Sequence, residues 1–202
     1  MAKLGADVVA NDISSESGRI IQQAASELGL QNLRPLTGDF ATLPIEEHSF
    51  DIVVGKAFLH HLTHEVETEY LAKVSRLLKR GGESRFFEPA VNSQWLDQLR
   101  WMVPVSGRPS SLSRKAFAAW KASDPHPDRD NSSEHYQKLG ETYFNDVFVR
   151  PIGSIERLCR IMPKGKWNRS YRRWAHRMET KLPMFFRRLA ARSQLIVFRN
   201  PR

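Results

Sequence analysis

The stretch FDIVVGKAFLHHL, residues 50–62, decides the fold of this chain. It begins with an apolar and mostly β-branched run, Phe50 to Val54, and the run ends at Gly55. Such a run predicts a short strand that is buried on both faces, as the strands of a parallel sheet are. Ligands of open α/β sheets bind outside the carboxyl ends of the strands. We therefore expect the chemistry of this protein just past Val54, where polar and ring-bearing side chains follow: Lys56, Phe58, His60 and His61.

The segments around this strand alternate between strand-like and helix-like patterns. They are a strand at 6–11, a helix at 16–28, a weak strand at 33–36, a helix at 64–78 and a strand at 83–87. Gly29 is predicted to close the first helix, and Gly81-Gly82 the second. This alternation predicts a doubly wound α/β domain with right-handed crossovers.

The alternation loosens after residue 92, so we divide the chain into a core at 1–92, a helical insertion or lid at 93–142 and a C-terminal part of the same domain at 143–202. The patterns in the last part predict a strand at 143–149, a short helix at 154–162, a basic aromatic helical stretch at 167–192 and a closing strand at 194–198. The helical stretch is interrupted at Pro183, because proline breaks a helix interior.

The composition excludes several classes of protein. With 202 residues, 41% hydrophobic and 26% charged, the chain has the length and balance of one ordinary globular domain with or without an appendage. No run approaches the roughly 20 apolar residues of a membrane span, and residues 1–15 lack the apolar core of a signal peptide. The single cysteine, Cys159, excludes an internal disulfide and a cysteine-cluster metal site. These features together predict a cytoplasmic protein.

The positive charge is concentrated at the end of the chain. The overall charge is +9, yet residues 1–149 carry a net charge of −4 and residues 150–202 carry +13. Within 164–192 the aromatic residues and Met178 recur at helical spacing among arginines. This pattern is typical of an amphipathic helix that packs on the sheet with a solvated basic face. The alternative is a surface that binds nucleic acid or an anionic membrane.

Five blocks of the sequence identify a family by their order and spacing. They are GADVVANDIS, GDFATLP, SFDIVVGKAFLHHL, RLLKRGG and FFEP, within residues 4–89. Together they resemble the class I S-adenosylmethionine-dependent methyltransferases of type 11/12. The resemblance implies a Rossmann-like doubly wound sheet with an antiparallel closing strand, and S-adenosyl-L-methionine as cofactor. It also implies methyl transfer from the sulfonium to an oxygen, nitrogen or carbon of a small-molecule or glycan/lipid-type acceptor.

The resemblance also implies the residues that would hold this cofactor. Asp12 with its neighbour Ile13 would meet the ribose hydroxyls, and Asp39 would meet the adenine amino group. The remaining positions are Phe40 beside the adenine ring and Gly55 and Lys56 at the methionine end. Simpler roles stay open for three of them: Asp12 as a helix-capping residue beside Ser14, Asp39 as a turn residue after Gly38, and Lys56 as a solvated side chain.

Two residues are candidates for catalysis. His61 is placed to take a proton during methyl transfer, and Glu88 to contact the acceptor or act as a base. The alternatives are a histidine that packs or caps a turn, and a glutamate in a structural ion pair. His60 and His64 share one helical face and have a spacing that suits a metal, but the sequence shows no third ligand. We therefore predict no metal site.

One family block is missing from the sequence. The glycine-rich turn of the form D-x-G-x-G-x-G should precede Asp12, and no part of residues 1–11 supplies it. Its strand lies in the middle of the family's sheet, so the strands at 6–11 and 50–55 should either pair directly or leave a gap. We expect a misplaced start, a fragment, or a short protein that has lost cofactor binding. The rival to an enzyme is a non-catalytic module with this fold that binds through 164–192.

Overall fold

The computed structural model describes residues 1–105, 107–124 and 126–202. The chain divides into two compact units, Met1–Glu46 and Glu47–Arg202. The strands accordingly form two sheets, each within one unit.

The first unit contains a 3-10 turn at Ala2–Leu4, followed by a strand, a helix and a second strand. Strand β1 (Val8–Asp12) pairs in parallel with β2 (Leu33–Thr37), and helix α1 (Ser15–Glu27) connects them. The Ser14 side chain caps α1 by accepting a hydrogen bond from the backbone N–H of Ser17. The two predicted strands and the helix between them are confirmed.

The second unit contains a four-stranded mixed sheet. Its strands are β3 (Phe50–Lys56), β4 (Leu78–Pro89), β5 (Phe144–Ile152) and β6 (Ser193–Pro201), in the order β3-β4-β6-β5. Strand β3 runs parallel to β4, whereas β6 is antiparallel to both β4 and β5. The antiparallel insertion of the closing strand is therefore confirmed.

Helices and two short 3-10 segments complete the second unit. They are a 3-10 turn at Leu59–His61, α2 (His64–Leu77), α3 (Gln94–Met102), α4 (Arg114–Ala122), α5 (Ser133–Tyr143), a 3-10 segment at Glu156–Ile161, α6 (Lys166–Glu179) and α7 (Met184–Ala190). The core lies between the sheet and α2 and α5, where Leu71, Phe86, Tyr136 and Phe198 are fully buried. Within the described residues no helix is both long and apolar enough to cross a bilayer.

Strand β3 corrects the prediction of burial on both faces. Ile52 is 43% exposed and Val54 is 52% exposed. They share one face, because residues two apart along a strand point the same way, and β3 is an edge strand of its sheet. A β-branched run favours a strand whether or not that strand is covered, so the sequence pattern could not separate the two cases.

The glycine pair at 81–82 does not end a helix. Helix α2 ends at Leu77, and β4 begins at the next residue, so both glycines lie inside the strand. A Cβ on Gly82 would lie 2.9 Å from the Lys79 carbonyl oxygen and 3.1 Å from that of Asp51. Gly82 is therefore needed for the close approach of β3 and β4. One further prediction is wrong in detail: where a short helix was predicted at 154–162, the structure has a 3-10 segment at Glu156–Ile161.

Candidate functional site

The end of β4 organises the turn that follows β3. Glu88 is fully buried, and its Oε1 accepts hydrogen bonds from the backbone N–H groups of Phe58 and Leu59, both at 3.0 Å. Its Oε2 accepts from the His60 ring Nδ1 at 2.7 Å and from the His60 backbone N–H at 3.4 Å. A carboxylate that accepts this many hydrogen bonds is held in place and holds its donors in turn. Glu88 therefore fixes both the turn and the His60 ring.

Three histidine rings gather above this turn. His60 and His61 come from the 3-10 turn, and His126 comes from the loop between α4 and α5. The ring centroids are 4.2 Å apart for His60 and His61, 4.4 Å for His61 and His126, and 5.2 Å for His60 and His126. One ring nitrogen of each histidine lies within 4.8 Å of those of the other two. We call this group the triple-histidine cluster.

The surroundings of the triple-histidine cluster are acidic and open. Asp124 accepts a hydrogen bond from Nδ1 of His126, as Glu88 does from Nδ1 of His60. The His60 side chain is 12% exposed and that of His126 is 41% exposed. Burial, followed by the neighbouring rings of His60 and His126, lowers the pKa of the His61 imidazole.

A second histidine cluster lies beside the first and is built around Glu67. The Glu67 side chain is fully buried, and its Oε2 accepts from Arg129 Nη2 at 2.6 Å and from His135 Nε2 at 2.7 Å. His64 Nδ1 is 3.7 Å from the same oxygen. Arg129, whose side chain is 1% exposed, also donates to the carbonyl oxygens of Leu59 and Leu62. This Glu67 cluster therefore anchors the 3-10 turn to α2 and α5.

A cavity of about 590 Å³ opens at the carboxyl ends of β3 and β4. Lys56, Ala57 and Glu88 contribute to its wall. Apolar side chains form a second part of the wall, namely Leu96, Leu99, Val103, Val105, Leu158 and Ile161. Arginines form the third part: Arg100, Arg108, Arg157, Arg160 and Arg192. We call it the arginine cavity.

The arginines of this cavity repel one another. Burial lowers the pKa of the Arg108 guanidinium, and the charges of Arg100 and Arg160 lower it further. The pKa of Arg160 is lowered by burial and then by Arg192 and Arg100. Arg192 is paired with Glu156 at 3.2 Å, and Arg100 with Asp97 at 3.1 Å. Arg160, in contrast, donates no guanidinium hydrogen bond to any other described residue.

The predicted ribose and adenine residues lie together at one edge of the first unit. Asp12 ends β1 and Asp39 follows the end of β2, so both carboxylates stand at the carboxyl ends of paired parallel strands. Oδ1 of Asp12 accepts from the Ser14 backbone N–H at 2.8 Å, and Oδ1 of Asp39 accepts from that of Ala41 at 3.0 Å. The second oxygen of each carboxylate accepts no hydrogen bond from the described residues. Both therefore keep an acceptor for a ligand hydroxyl or amine.

The neighbours of these carboxylates differ in exposure. Ile13 is 75% exposed and Phe40 is half-buried. In the second unit, Gly55 lies against the ring of Phe86, where a Cβ would come within 2.6 Å of Cδ1. The absence of a side chain at Gly55 is thus explained by packing alone. Lys56 is exposed at the wall of the arginine cavity.

Sequence reasoning missed the arginine cavity and the third histidine. The five arginines come from α3, the loop after it, the 3-10 segment and the residue that precedes β6, and His126 lies far along the chain from His60. No local spacing links these residues. The excess of positive charge in residues 150–202 was a signal for three of the five arginines, but it was interpreted as a property of the 164–192 stretch.

Comparisons with known proteins agree with the fold. A family model described as a methyltransferase domain matches residues 1–82. Uncharacterized protein YafE of Escherichia coli K12 is 37% identical over 75 residues, which are 37% of this chain and 35% of that protein. The chain spans about a third or less of the curated relatives it matches, with shares of 35%, 32% and 25%.

Solved structures resemble nearly the whole chain. A SAM-dependent methyltransferase from Methanosarcina mazei is 18% identical with a TM-score of 0.57, over 98% of this chain and 84% of that one. A phosphoethanolamine N-methyltransferase from Haemonchus contortus, solved with S-adenosyl-L-methionine, is 11% identical with a TM-score of 0.56, over 97% of this chain and 44% of that one. At these identities the likeness concerns the fold alone, which is the Rossmann-like α/β fold that the sequence predicted.

Proposed function

We propose that this chain, a class I S-adenosylmethionine-dependent methyltransferase by sequence family and by fold, transfers a methyl group to a small acceptor that carries a negative charge beside an apolar portion. The observation that carries the proposal is the arginine cavity, which combines five arginines with six apolar side chains at the carboxyl ends of β3 and β4. In open α/β sheets this is the edge at which ligands bind.

The charge of the cavity favours an anionic acceptor. Guanidinium groups bind carboxylates and phosphates through paired hydrogen bonds. Of the five arginines, two are engaged by Asp97 and Glu156, while Arg160 is left without such a partner among the described residues. Burial is the larger cause of the lowered pKa of Arg108 and of Arg160, and repulsion between the arginines adds to it. A bound anion would offset that repulsion.

The apolar part of the cavity wall favours an acceptor that also has an apolar portion. Leu96 and Leu99 of α3 and Leu158 and Ile161 of the 3-10 segment all line the cavity. Burying an apolar group there contributes about 25 cal/mol for each Å² removed from water. A molecule with both an anionic and an apolar portion, such as an acidic lipid-like or aromatic acid, therefore matches the cavity better than a neutral glycan.

The cofactor would be held by the predicted set of residues. We assign Asp12 and Ile13 to the ribose, Asp39 and Phe40 to the adenine, and Gly55 and Lys56 to the methionine end. The carboxylates fit this role because each retains one oxygen without a hydrogen bond to the described residues. The cofactor supplies an activated methyl group on a sulfonium, so the chain has to bind, orient and exclude water.

Glu88 and His61 would serve this reaction in different ways. Glu88 accepts hydrogen bonds from backbone N–H groups of the turn and from the His60 ring, so we assign it as a positioning residue. His61 is the candidate base for an acceptor that loses a proton. It is not among the residues that line the arginine cavity, but its ring centroid is 4.2 Å from that of His60, which is bound to the cavity residue Glu88. Burial and then the rings of His60 and His126 lower its pKa, which favours the neutral ring. His61→Gln should lower kcat with little change in KM and remove a limb of the pH profile. An unaltered profile would exclude the base role.

Two measurements test the proposal. Calorimetric titration of the full chain with S-adenosylhomocysteine should show binding, and Asp12→Ala should abolish it. Asp7→Ala is the matched control and should retain binding, because Asp7 is exposed and directly precedes β1, at the end opposite to Asp12. Methyl transfer from labelled S-adenosylmethionine should then be measured with matched pairs of acids and their neutral esters. Preference for the acids, with KM raised about tenfold in Arg160→Gln and unchanged in Arg177→Gln, is the expected result. Equal use of acids and esters would contradict it.

A second candidate function uses the C-terminal helices as a binding surface. Trp167 is 85% exposed, Trp174 is 51% exposed, and Phe185 of α7 is 76% exposed, all among arginines. Tyr171 lies on the same face of α6 as the two tryptophans, one helical turn from each, and its ring centroid is 5.7 Å from that of Trp174. This part of the helix is anchored, because Tyr171 donates to the Ile155 carbonyl oxygen at 2.6 Å and the neighbouring Ala175 is buried. Exposed aromatic and apolar groups next to arginines favour an anionic membrane surface.

Vesicle co-sedimentation tests this second function. Binding to vesicles that contain phosphatidylserine should weaken with salt and fall sharply in a Trp167→Ala, Phe185→Ala double variant. Neutral vesicles provide the control. Salt-dependent binding of RNA without vesicle binding would assign the surface to nucleic acid instead.

A further inference from the structure

We infer that His60, His61 and His126 form a binding site for a zinc-type divalent metal ion. Neither the methyltransferase fold nor the proposed reaction requires such a site, and the inference does not depend on the proposed function. It rests on the geometry of the triple-histidine cluster and on the two carboxylates behind it.

The spacing of the ring nitrogens is close to that of a metal site. One nitrogen of each ring lies within 4.8 Å of the others. Around a tetrahedral zinc ion with bonds of 2.0–2.1 Å, ligand nitrogens are about 3.4 Å apart. The rings need to approach by at most about 1.4 Å, and the exposed side chains of His61 and His126 have room for that rotation.

The carboxylates orient two of the rings for an ion. Glu88 accepts from Nδ1 of His60, and Asp124 accepts from Nδ1 of His126. In each ring this leaves Nε2 with its lone pair as the metal ligand. Metal-binding histidines characteristically donate their other ring N–H to a carboxylate, which fixes the tautomer and raises the basicity of the ligand. The two negative charges also offset part of the charge of a divalent cation.

The ligand type selects the kind of metal. Three imidazoles suit zinc, copper, nickel and cobalt, whereas magnesium and calcium prefer oxygen ligands. Because His61 and His126 are exposed, the fourth coordination position faces solvent and would be filled by water. A bound ion would occupy His61, so the ion and the base role proposed for this residue exclude each other.

The experiment uses the full chain after removal of metals with EDTA. Titration with Co²⁺ should give one ion per chain and the visible absorption of a tetrahedral site. Competition between Zn²⁺ and a chromophoric chelator then gives the affinity. His126→Ala should lower zinc affinity by more than about 100-fold, because it removes a direct ligand, whereas loss of an outer-shell partner gives 10–100-fold.

Two further variants make the assignment specific. His126→Cys should retain Co²⁺ and add a thiolate charge-transfer band in the near ultraviolet, which only a ligand at this position produces. His135→Ala, in the Glu67 cluster, should keep the wild-type affinity. Absence of a bound ion in the wild-type chain would overturn the inference, as would equal affinity in His126→Ala or loss of the ion in His135→Ala. Circular dichroism verifies that each variant is folded.

Discussion

The two histidine clusters contain similar residues but differ in what their carboxylates do. In the triple-histidine cluster, Glu88 accepts a hydrogen bond from Nδ1 of His60, and Asp124 accepts one from Nδ1 of His126. In the Glu67 cluster, the carboxylate stands at the centre and already binds the Arg129 guanidinium at 2.6 Å. The first arrangement leaves ring nitrogens for a cation, whereas the second contains its own cation. In both clusters a histidine ring donates to a carboxylate. The comparison therefore shows that the presence or absence of a cationic side chain already paired with the carboxylate, more than the residue types, decides whether a cluster suits a metal.

The two clusters also differ in burial. Glu67 and Arg129 are almost completely enclosed, and Oε1 of Glu67 and Nε of Arg129 have no hydrogen-bond partner among the described residues. A buried ion pair of this kind is strongly destabilising when one partner is removed. His61 and His126 are exposed, so their replacement leaves no buried charge. We therefore expect the Glu67 cluster to govern stability and the triple-histidine cluster to govern ligand binding.

The largest effect is expected for Arg129→Met. This change leaves the Glu67 carboxylate buried beside an apolar side chain and removes the donors to the Leu59 and Leu62 carbonyl groups. The free energy of unfolding should fall by about 3–5 kcal/mol, as measured by urea denaturation. Arg114→Met, on the exposed face of α4, is the matched control and should change it by less than about 0.5 kcal/mol. A small effect for Arg129→Met would remove the distinction between the clusters.

An intermediate effect is expected for Asp124→Asn. The amide keeps the shape of the side chain but is a weaker acceptor for the His126 N–H and lacks the negative charge. Zinc affinity should fall by about 10–100-fold in the chelator competition. Asp128→Asn, in the same loop and exposed, should leave the affinity unchanged. If both variants bind zinc equally well, Asp124 does not support a metal ligand.

The smallest effect is expected for His64→Ala. His64 is 3.7 Å from Glu67 Oε2, and its side chain is 45% exposed, so it contributes little to the buried pair. Stability should change by less than about 0.5 kcal/mol, and zinc affinity should stay at the wild-type value. Loss of zinc binding in this variant would place the ion in the Glu67 cluster and reverse the comparison.

Local patterns in the sequence predicted most of the secondary structure. The apolar periodicity of α2 and the runs that form β1, β3 and β6 depend on neighbours within a few residues, and all four were located. The same local reading failed for the burial of Ile52 and Val54, because burial of a strand face depends on what is packed against it. It also placed a helix end at Gly81-Gly82, where the structure has a close approach of two strands.

The candidate sites divide in the same way. Glu88 directly follows the strand predicted at 83–87, and His60 lies in the polar stretch after the strand predicted at 50–55, so both could be identified from the sequence. The hydrogen bond between them could not be predicted. The third histidine was missed for a related reason. His60 and His64 have a helical spacing in the sequence, yet the structure places them in different clusters and brings in His126 and His135 from loop and helix positions far along the chain. A search by spacing alone therefore paired the wrong residues.

By itself, the sequence determined the order of strands and helices, the family resemblance within residues 4–89, and the edge of the sheet at which chemistry is expected. These follow from side-chain periodicity and turn residues, which act over short distances. Only the tertiary structure decided that five arginines line one cavity, that Glu67 is neutralised by Arg129 and that Glu88 is turned toward His60. The reason is that folding brings these groups together from separate elements. Their burial then strengthens each hydrogen bond and each interaction between charges.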